Sequence, residues 1–201
     1  MVIMVRWEPG ASDRLRKAAL ELYAARGFEQ TTAAEIAASV GLTERTFFRH
    51  FADKREVIFN GAAEFEGGFI EGVRDAPESE SVLEVVSAAL AMAARFFPDE
   101  RREFSRLRQT IIDDNASLRE REQLKMTTLA TGIAEALRDR GVTEPHASLA
   151  AQSGVTVFTV SFHQWIAEGE TRPLGEIEAD IMGELRSLTR APLPNRGDSS
   201  R

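Results

Sequence analysis

Hydroxyl, guanidinium, imidazole and ammonium groups follow one another closely between Thr32 and Lys54. A guanidinium such as that of Arg45 can donate two parallel hydrogen bonds to O6 and N7 of guanine, and a threonine such as Thr43 can contact a base edge or a thymine methyl. Hydroxyl and basic groups also bind phosphate oxygens, which orient a protein on a duplex without reading its sequence. The chemistry that this stretch could perform is therefore binding to double-stranded DNA.

These side chains divide into two predicted classes of DNA contact. Base reading is predicted for Thr43, Glu44 and Arg45, which are consecutive in the chain. Phosphate contacts are predicted for Thr32, Arg49, His50 and Lys54. For Glu44 and Arg49, an ordinary solvated surface position is an equally good interpretation.

Two short helices joined by a tight turn would position these groups. Thr32-Ala33-Ala34-Glu35 has the form of a capping box, which predicts a helix beginning just after Thr32. Gly41 permits the positive φ of a sharp helix exit, and Thr43 can cap a second helix that runs through His50. The buried side of the second helix is predicted to comprise Leu42, Phe47 and Phe51. This is the helix-turn-helix pattern, in which the second helix enters the major groove.

Several short motifs are spaced along Leu15 to Ile58. Arg26-Gly27-Phe28 ends the first helix, Glu35-Ile36-Ala37 lies in the second, and residues 46–54 read Thr-Phe-Phe-Arg-His-Phe-x-x-Lys. Together they resemble the TetR family of transcriptional regulators. The resemblance implies DNA contacts from the matching positions Thr43, Arg45, Thr46, Phe48, His50 and Lys54. The family commonly has Tyr where this chain has Phe48, and a phenylalanine cannot donate that hydrogen bond to a phosphate.

The apolar spacing along the whole chain predicts an all-α protein of about nine helices. We expect a flexible arm at 1–11, a helix-turn-helix domain at 12–58, a helical ligand-binding and dimerisation domain at 59–190, and a disordered tail at 191–201. A long helix is predicted from Asp53 to about Arg74, with Gly67-Gly68 as either a hinge or a point of close packing. A further helix is predicted through Val155–Ile166, although its β-branched residues imitate a strand.

The resemblance also implies an apolar ligand pocket in the larger domain. Its polar anchors would come from Arg108, Asp113, Asp114, His163 and Gln164. The candidate lining residues are Phe65, Phe69, Phe96, Phe104, Leu107, Ile111, Met126, Leu129, Ile133, Phe158, Phe162 and Trp165. The alternative is that these side chains are plain hydrophobic core, since aromatic residues at helical spacing are usually buried.

A homodimer is the assembly that the resemblance implies. The last two helices would pair with their copies in a second subunit and present two recognition helices to a palindromic operator. The candidate interface residues are Val157, Val160, Leu174, Ile177, Ile181, Leu185 and Leu188. The alternative is that both apolar stripes belong to the core of one chain.

Composition limits the other classes of function. The formal net charge is −7, but the first 60 residues hold nine basic and eight acidic side chains, so the acidic excess lies in the remainder. Without cysteine there is no disulfide or thiolate metal site, and three scattered histidines give no metal-site spacing. No nucleotide-binding glycine motif or recognisable catalytic triad is present, so we expect neither an enzyme nor a cofactor.

The function predicted from the sequence is DNA-binding transcriptional regulation. We expect a ligand-responsive repressor that a small apolar or amphipathic effector releases from its operator. No span reaches membrane length, so the predicted location is the cytoplasm. The alternative is a helical sensor or interaction protein whose DNA-binding head is vestigial.

Overall fold

The computed structural model describes residues 10–78 and 81–188. This part of the chain contains nine α-helices, two short 3-10 helices and no strand. The α-helices are α1 Ala11–Arg26, α2 Ala33–Ser39, α3 Glu44–His50, α4 Ala62–Asp75, α5 Val82–Ala93, α6 Arg102–Asp113, α7 Ala116–Asp139, α8 His146–Trp165 and α9 Leu174–Leu188. The all-α prediction is confirmed. The predicted tail at 191–201 and residues 1–9 of the predicted arm lie outside the described residues.

The predicted long helix from Asp53 is wrong in its first part, because α4 begins only at Ala62. The Asp53 carboxylate does accept hydrogen bonds from the backbone N–H groups of Arg55 (2.7 Å) and Glu56 (3.1 Å), as a helix cap would. The chain then continues in turns rather than α-helix, and Gly61 has φ +92°. Non-glycine residues rarely adopt this conformation, so Gly61 ends the turns and sets the start of α4.

The glycine pair at 67–68 is not a break in the helix, because α4 is continuous across it. A Cβ atom built on Gly68 would lie 2.4 Å from Cε2 of Phe96, which is closer than two carbon atoms can approach. Close packing, one of the two alternatives drawn from the sequence, therefore describes Gly68, and the hinge at this pair stays a prediction.

The described residues form two compact units. The first extends to Glu66 and includes Glu100–Thr128. Its core joins the helix-turn-helix residues with α1, α6 and the start of α7. Three side chains predicted to line a ligand pocket, Phe104, Leu107 and Ile111, lie in or pack against this core. They do so because α6 lies on α1, where the Arg16 guanidinium stands 5.0 Å from the Phe104 ring centre.

The second unit comprises Gly67–Asp99 and the described residues from Leu129 onward. Helices α5, α8 and α9 pack against one another in it. Its interior includes Val86, Leu90, Trp165 and Ile177, each almost fully buried. The helix predicted through Val155–Ile166 is confirmed, since α8 runs without interruption to Trp165.

Within residues 10–78 and 81–188, none of the helices has the length and hydropathy needed to cross a lipid bilayer. The same residues contain no group of three or more histidine or carboxylate side chains placed to hold a metal ion.

Candidate nucleic-acid interface

The turn between α2 and α3 is fixed by backbone hydrogen bonds and by one buried ring. Gly41 has φ +69°, and the Leu42 N–H donates to the Ala37 carbonyl at 2.9 Å. Phe47 is fully buried, and its ring centre lies 5.4 Å from that of Phe51. Phe47 lies on the inner side of α3, while Phe48, Arg49 and His50 are exposed.

Side-chain caps hold the start of both helices. The Thr32 hydroxyl accepts the Glu35 N–H at 3.2 Å, while the Glu35 carboxylate accepts the Thr32 N–H at 2.9 Å. The hydrogen bond from the Thr32 backbone contributes most to keeping the pKa of Glu35 below its ordinary value. At α3, the Thr43 hydroxyl accepts the Thr46 N–H at 3.2 Å. The capping box and the Thr43 cap predicted from the sequence are therefore confirmed.

Most of the predicted DNA-contact residues lie on the outward surface of α3 and its cap. Thr46 is partly buried, and the exposed ones are Thr43, Glu44, Arg45, Phe48, Arg49 and His50. Phe48 is 52% exposed, although its neighbour Phe47 contributes to the core. A large exposed aromatic beside two arginines can contact sugars or a thymine methyl, while the arginines reach acceptors on the duplex. The surface thus combines apolar contact with positive charge.

Lys54 differs from the other predicted contacts, because its ammonium group is engaged within the chain. Nζ donates to the carbonyl oxygens of Phe28 (2.9 Å), Thr31 (3.2 Å) and Glu29 (3.3 Å), and it lies 4.4 Å from the Phe28 ring centre. The Tyr23 hydroxyl in turn donates to the Lys54 carbonyl at 2.7 Å. Lys54 therefore fixes the loop between α1 and α2, a role the sequence analysis missed. Its phosphate contact stays a prediction.

The sequence around this interface matches a known family. A family model described as bacterial regulatory proteins, tetR family, matches residues 15–59. The same residues form α1, the helix-turn-helix and the turns that follow it. Residues 15–59 therefore carry the helix-turn-helix domain of the TetR family. The resemblance drawn from the motifs of residues 15–58 is thereby confirmed.

Individual relatives extend the comparison. Over 77 residues the chain is 40% identical to the HTH-type transcriptional regulator TcmR of Streptomyces glaucescens, a match that covers 38% of this chain and 34% of TcmR. The chain thus spans about a third of the length of this curated relative. The chain is also similar to Thermus thermophilus FadR, a TetR-family repressor whose structure was determined in complex with lauroyl-CoA. The two sequences are 25% identical and the TM-score is 0.51. The structural match covers 94% of this chain and 99% of the FadR chain.

A third relative shows likeness of fold alone. The sequence of SmeT, whose structure is a complex with triclosan, is 19% identical to this chain, and the TM-score is 0.61. The structural match covers 92% of this chain and 99% of the SmeT chain. SmeT is described as the repressor of a multidrug efflux pump of Stenotrophomonas maltophilia.

The turns that follow the interface are held by α6 and α7. Arg108, predicted to be a polar anchor of a ligand pocket, donates from Nε to the Ile58 carbonyl at 3.0 Å and from Nη1 to Glu122 at 3.1 Å. Arg121 pairs with Glu56 at 2.8 Å. Arg108 therefore supports the segment between α3 and α4. In the sequence, Arg108 is an arginine on a helix rich in charges. This pattern does not distinguish a pocket anchor from a residue that supports the fold.

Three of the residues predicted to line a pocket form an aromatic cluster in the second unit. The Phe97 ring centre lies 5.7 Å from Phe158, 5.4 Å from Phe162 and 6.0 Å from Trp165. The Trp165 Nε1–H donates to Asp99 at 3.4 Å. Phe97 was not among the predicted lining residues, although its place directly before Pro98 marks the end of a helical segment.

The remaining pocket candidates are distributed over both units. Phe69, Leu129 and Ile133 are buried in the second, and Phe96 packs there against Gly68. Phe65 and Met126 belong to the first. The other predicted polar anchors also belong to both units. Asp113 accepts a hydrogen bond from Gln109, Gln164 donates to Glu170, and Asp114 and His163 are exposed.

The residues predicted for a dimer interface differ in exposure. Val157, Leu174 and Ile177 are at most 2% exposed within their own chain, so they belong to its core and offer no area to a partner. Ile181 and Leu185 are partly buried. Val160 is 46% exposed and Leu188 is 71% exposed. Leu149, which the sequence analysis did not include, is 63% exposed on the same helix as Val160.

Proposed function

We propose that this TetR-family chain is a transcriptional repressor that binds a palindromic DNA operator as a homodimer. The observation that carries the proposal is the outward surface of α3, where Arg45, Arg49 and His50 are exposed beside Phe48. A recognition helix needs exposed donors on a rigid support, because base contacts are lost when the side chains are misplaced. Phe47 and the Thr43 cap provide that support.

Dimerisation is proposed through α8 and α9. Isolated exposed leucine and valine side chains are common on monomers, but Leu149, Val160 and Leu188 all belong to the two helices that the family resemblance implicates. A dimer would also supply two recognition helices, and doubling the contacts converts weak half-site binding into strong operator binding.

Release by a small apolar or amphipathic effector is the remaining part of the proposal. It is supported by the aromatic cluster of the second unit, since ligand sites in proteins are mostly lined by apolar and aromatic side chains. Two structures of the same fold are complexes with an amphipathic or apolar compound, FadR with lauroyl-CoA and SmeT with triclosan. We infer a similar class of effector for this chain.

The test begins with selection of a bound sequence from a random duplex pool, followed by fluorescence anisotropy on the selected duplex and on its isolated half-site. We expect a palindrome, affinity that falls steeply with salt, and much weaker binding to the half-site. Failure to enrich any sequence, or binding that salt leaves unchanged, would contradict the proposal and favour an interaction protein with a vestigial DNA-binding head.

A further inference from the structure

Phe48 is an aromatic side chain that remains in contact with water on the outward surface of α3. It is 52% exposed, and among residues 10–78 and 81–188 it is the only exposed phenylalanine, tyrosine or tryptophan. A single exposed apolar side chain is common on protein surfaces and does not by itself mark a binding site. The position of Phe48 and the support beneath its ring therefore decide what it can bind.

The Phe48 ring is held in place by the core beneath it. Its centre lies 5.4 Å from that of Phe47, and the two ring planes are at 82°, which is the edge-to-face arrangement that aromatic pairs favour. Phe47 is fully buried, and its own ring centre lies 5.4 Å from that of Phe51. The exposed half of the Phe48 ring is thus presented at a defined position.

Phe48 shares its part of the helix surface with Glu44 and Arg45, which are also exposed. Residues three or four positions apart are neighbours on an α-helix, and aromatic side chains lean over the preceding turn. Residues one or two positions apart do not face each other, so Arg49 and His50 lie elsewhere around α3. Phe48 is therefore grouped with the side chains predicted to contact bases, and not with those predicted to contact phosphates.

The chemistry of the ring limits what Phe48 can contact on a duplex. A benzene ring has no hydroxyl, so Phe48 cannot donate to a phosphate as the tyrosine common at this position could. Base edges in the major groove carry hydrogen-bond donors, acceptors and one apolar group, the C5 methyl of thymine. A ring that covered a donor or acceptor would leave it without a partner, which costs binding free energy. The thymine methyl is therefore the complementary surface.

We propose that Phe48 selects a thymine in each operator half-site, through van der Waals contact between its ring and the C5 methyl group. The inference rests on the proposed operator binding through α3, and it names the base that this position reads. Replacing tyrosine by phenylalanine here exchanges a phosphate contact, which carries no sequence information, for a base contact, which does. The neighbouring guanidinium of Arg45 supplies the attraction to the duplex that the ring itself lacks.

The experiment replaces each thymine of the selected operator in turn by deoxyuridine, which removes the methyl group and keeps every base pair. Fluorescence anisotropy measures the affinity of each duplex for the wild type, Phe48→Ala and Leu124→Ala. Leu124 is the matched control, because it is an apolar side chain of similar exposure, 54%, on α7. Phe48→Gln is a second variant without the ring, and thermal unfolding shows which variants are folded.

For the wild type, we expect one thymine in each half-site whose replacement weakens binding about fourfold, the change that corresponds to burial of one methyl group. Leu124→Ala should show the same fourfold loss at the same position. In Phe48→Ala and Phe48→Gln the replacement should leave the affinity unchanged, because the methyl group no longer has the ring as its partner.

The inference would be overturned by an operator in which no deoxyuridine weakens binding to the wild type, a result that needs no variant. It would also be overturned if the loss persisted in Phe48→Ala or Phe48→Gln, since another side chain such as Thr43 would then contact the methyl group. Both results leave operator binding intact. Failure to select any operator from the pool is a different result, and it would contradict the proposed function as well.

Discussion

At the scale of single residues, the two basic side chains Arg45 and Lys54 should differ in what they do for DNA binding. Arg45 is exposed on α3, so its replacement should remove the predicted base contact without disturbing the fold. We expect Arg45→Ala to cost roughly 1–3 kcal/mol of operator affinity and to relax preference at one operator position. Lys54→Ala should weaken all operator sequences alike and also lower the free energy of unfolding, because three backbone carbonyls lose their donor.

The measurement for this pair is anisotropy on a set of single-base operator variants, with urea unfolding of each protein. The salt dependence distinguishes the two roles of Lys54. If its ammonium also contacts a phosphate, the slope of the logarithm of affinity against the logarithm of salt concentration falls by about 1 in Lys54→Ala. If the ammonium acts only on the loop, this slope is unchanged. Unaltered operator preference in Arg45→Ala would contradict the proposed docking.

A second prediction at this scale concerns Glu178 and pH. Burial raises the pKa of its carboxyl to about 8 in the folded chain, above the ordinary value of 4.5. The folded state then binds the proton more tightly, so the stability that this group contributes is complete below about pH 4.5 and is lost as pH rises to about 8. Each pKa unit corresponds to about 1.4 kcal/mol, and Glu178→Gln should remove this pH dependence.

Urea unfolding of the wild type and Glu178→Gln at intervals between pH 5 and pH 8.5 checks this prediction. Glu84 and Arg186, which line a groove between α5 and α9 together with Glu178, are unchanged in both proteins. The difference between the two proteins in the free energy of unfolding at each pH therefore isolates Glu178. If the free energies of unfolding of the two proteins change in parallel with pH across this range, the carboxyl is ionised or paired in the folded protein, contrary to expectation.

Some residue roles were predictable from the sequence and others were not. The caps at Thr32 and Thr43 depend on partners three residues away, and the sequence predicted them correctly. The bond from Lys54 to the Phe28 carbonyl joins residues 26 apart, and only the folded chain brings them together. Glu178 lies at the margin of an apolar stripe, where spacing alone does not separate a buried carboxyl from an exposed one.

At the scale of elements, the start of α4 depends on Gly61. Its φ of +92° is strained for any residue with a Cβ, so Gly61→Ala should cost roughly 1–2 kcal/mol of stability. Gly67 is the matched control, since it lies inside α4 with no atom within 4 Å of an added Cβ. Gly67→Ala should stabilise the protein by roughly 0.5–1 kcal/mol, because alanine favours the helix. Urea unfolding of both variants tests the contrast, and stabilisation by Gly61→Ala would show that the helix can run through this position.

The sequence predicted the helices better than their limits. Apolar spacing and capping residues predict that a helix exists, and these signals lie within the helix. The break before α4 was missed because a single interior glycine is compatible with either a helix or a turn. The choice depends on contacts from far along the chain, such as the bond from Arg108 to the Ile58 carbonyl and the pair between Arg121 and Glu56.

At the scale of the whole molecule, the proposed dimer makes a testable distinction between two exposed apolar side chains. Val160 on α8 is 46% exposed and Leu124 on α7 is 54% exposed. Val160→Glu would place a charge in the proposed interface, where it is strongly disfavoured. We expect this variant to be monomeric by light scattering and to bind the full operator as weakly as a half-site. Leu124→Glu should remain dimeric with unchanged operator affinity, and a monomeric wild type that binds its operator fully would contradict the dimer.

The family could be predicted from the motifs of one short stretch, but the effector site could not. The motifs lie on consecutive helices, whereas a pocket requires side chains from several helices at known distances. The helical spacing of Phe104, Leu107 and Ile111 suits either a pocket or a core, and in the structure they pack with the core of the helix-turn-helix.

The last prediction concerns the effector and the cluster of Phe97, Phe158, Phe162 and Trp165. These rings are in contact, so an apolar ligand that enters between them must change the surroundings of the Trp165 indole. Shifting operator release from 1:99 to 99:1 requires the ligand to favour the released state by about 5.5 kcal/mol. Burial of a ligand of drug size among aromatic side chains can supply energy of this order.

Trp7→Phe leaves Trp165 as the one tryptophan, since the chain has two. We expect each compound of an apolar and amphipathic library that releases this variant from its operator to change Trp165 emission over the same concentration range. Trp7→Phe, Trp165→Phe is the control for fluorescence from the compounds themselves. A compound that releases the operator without any change in Trp165 emission would place the effector elsewhere, because a ligand among these rings cannot leave the indole environment unaltered.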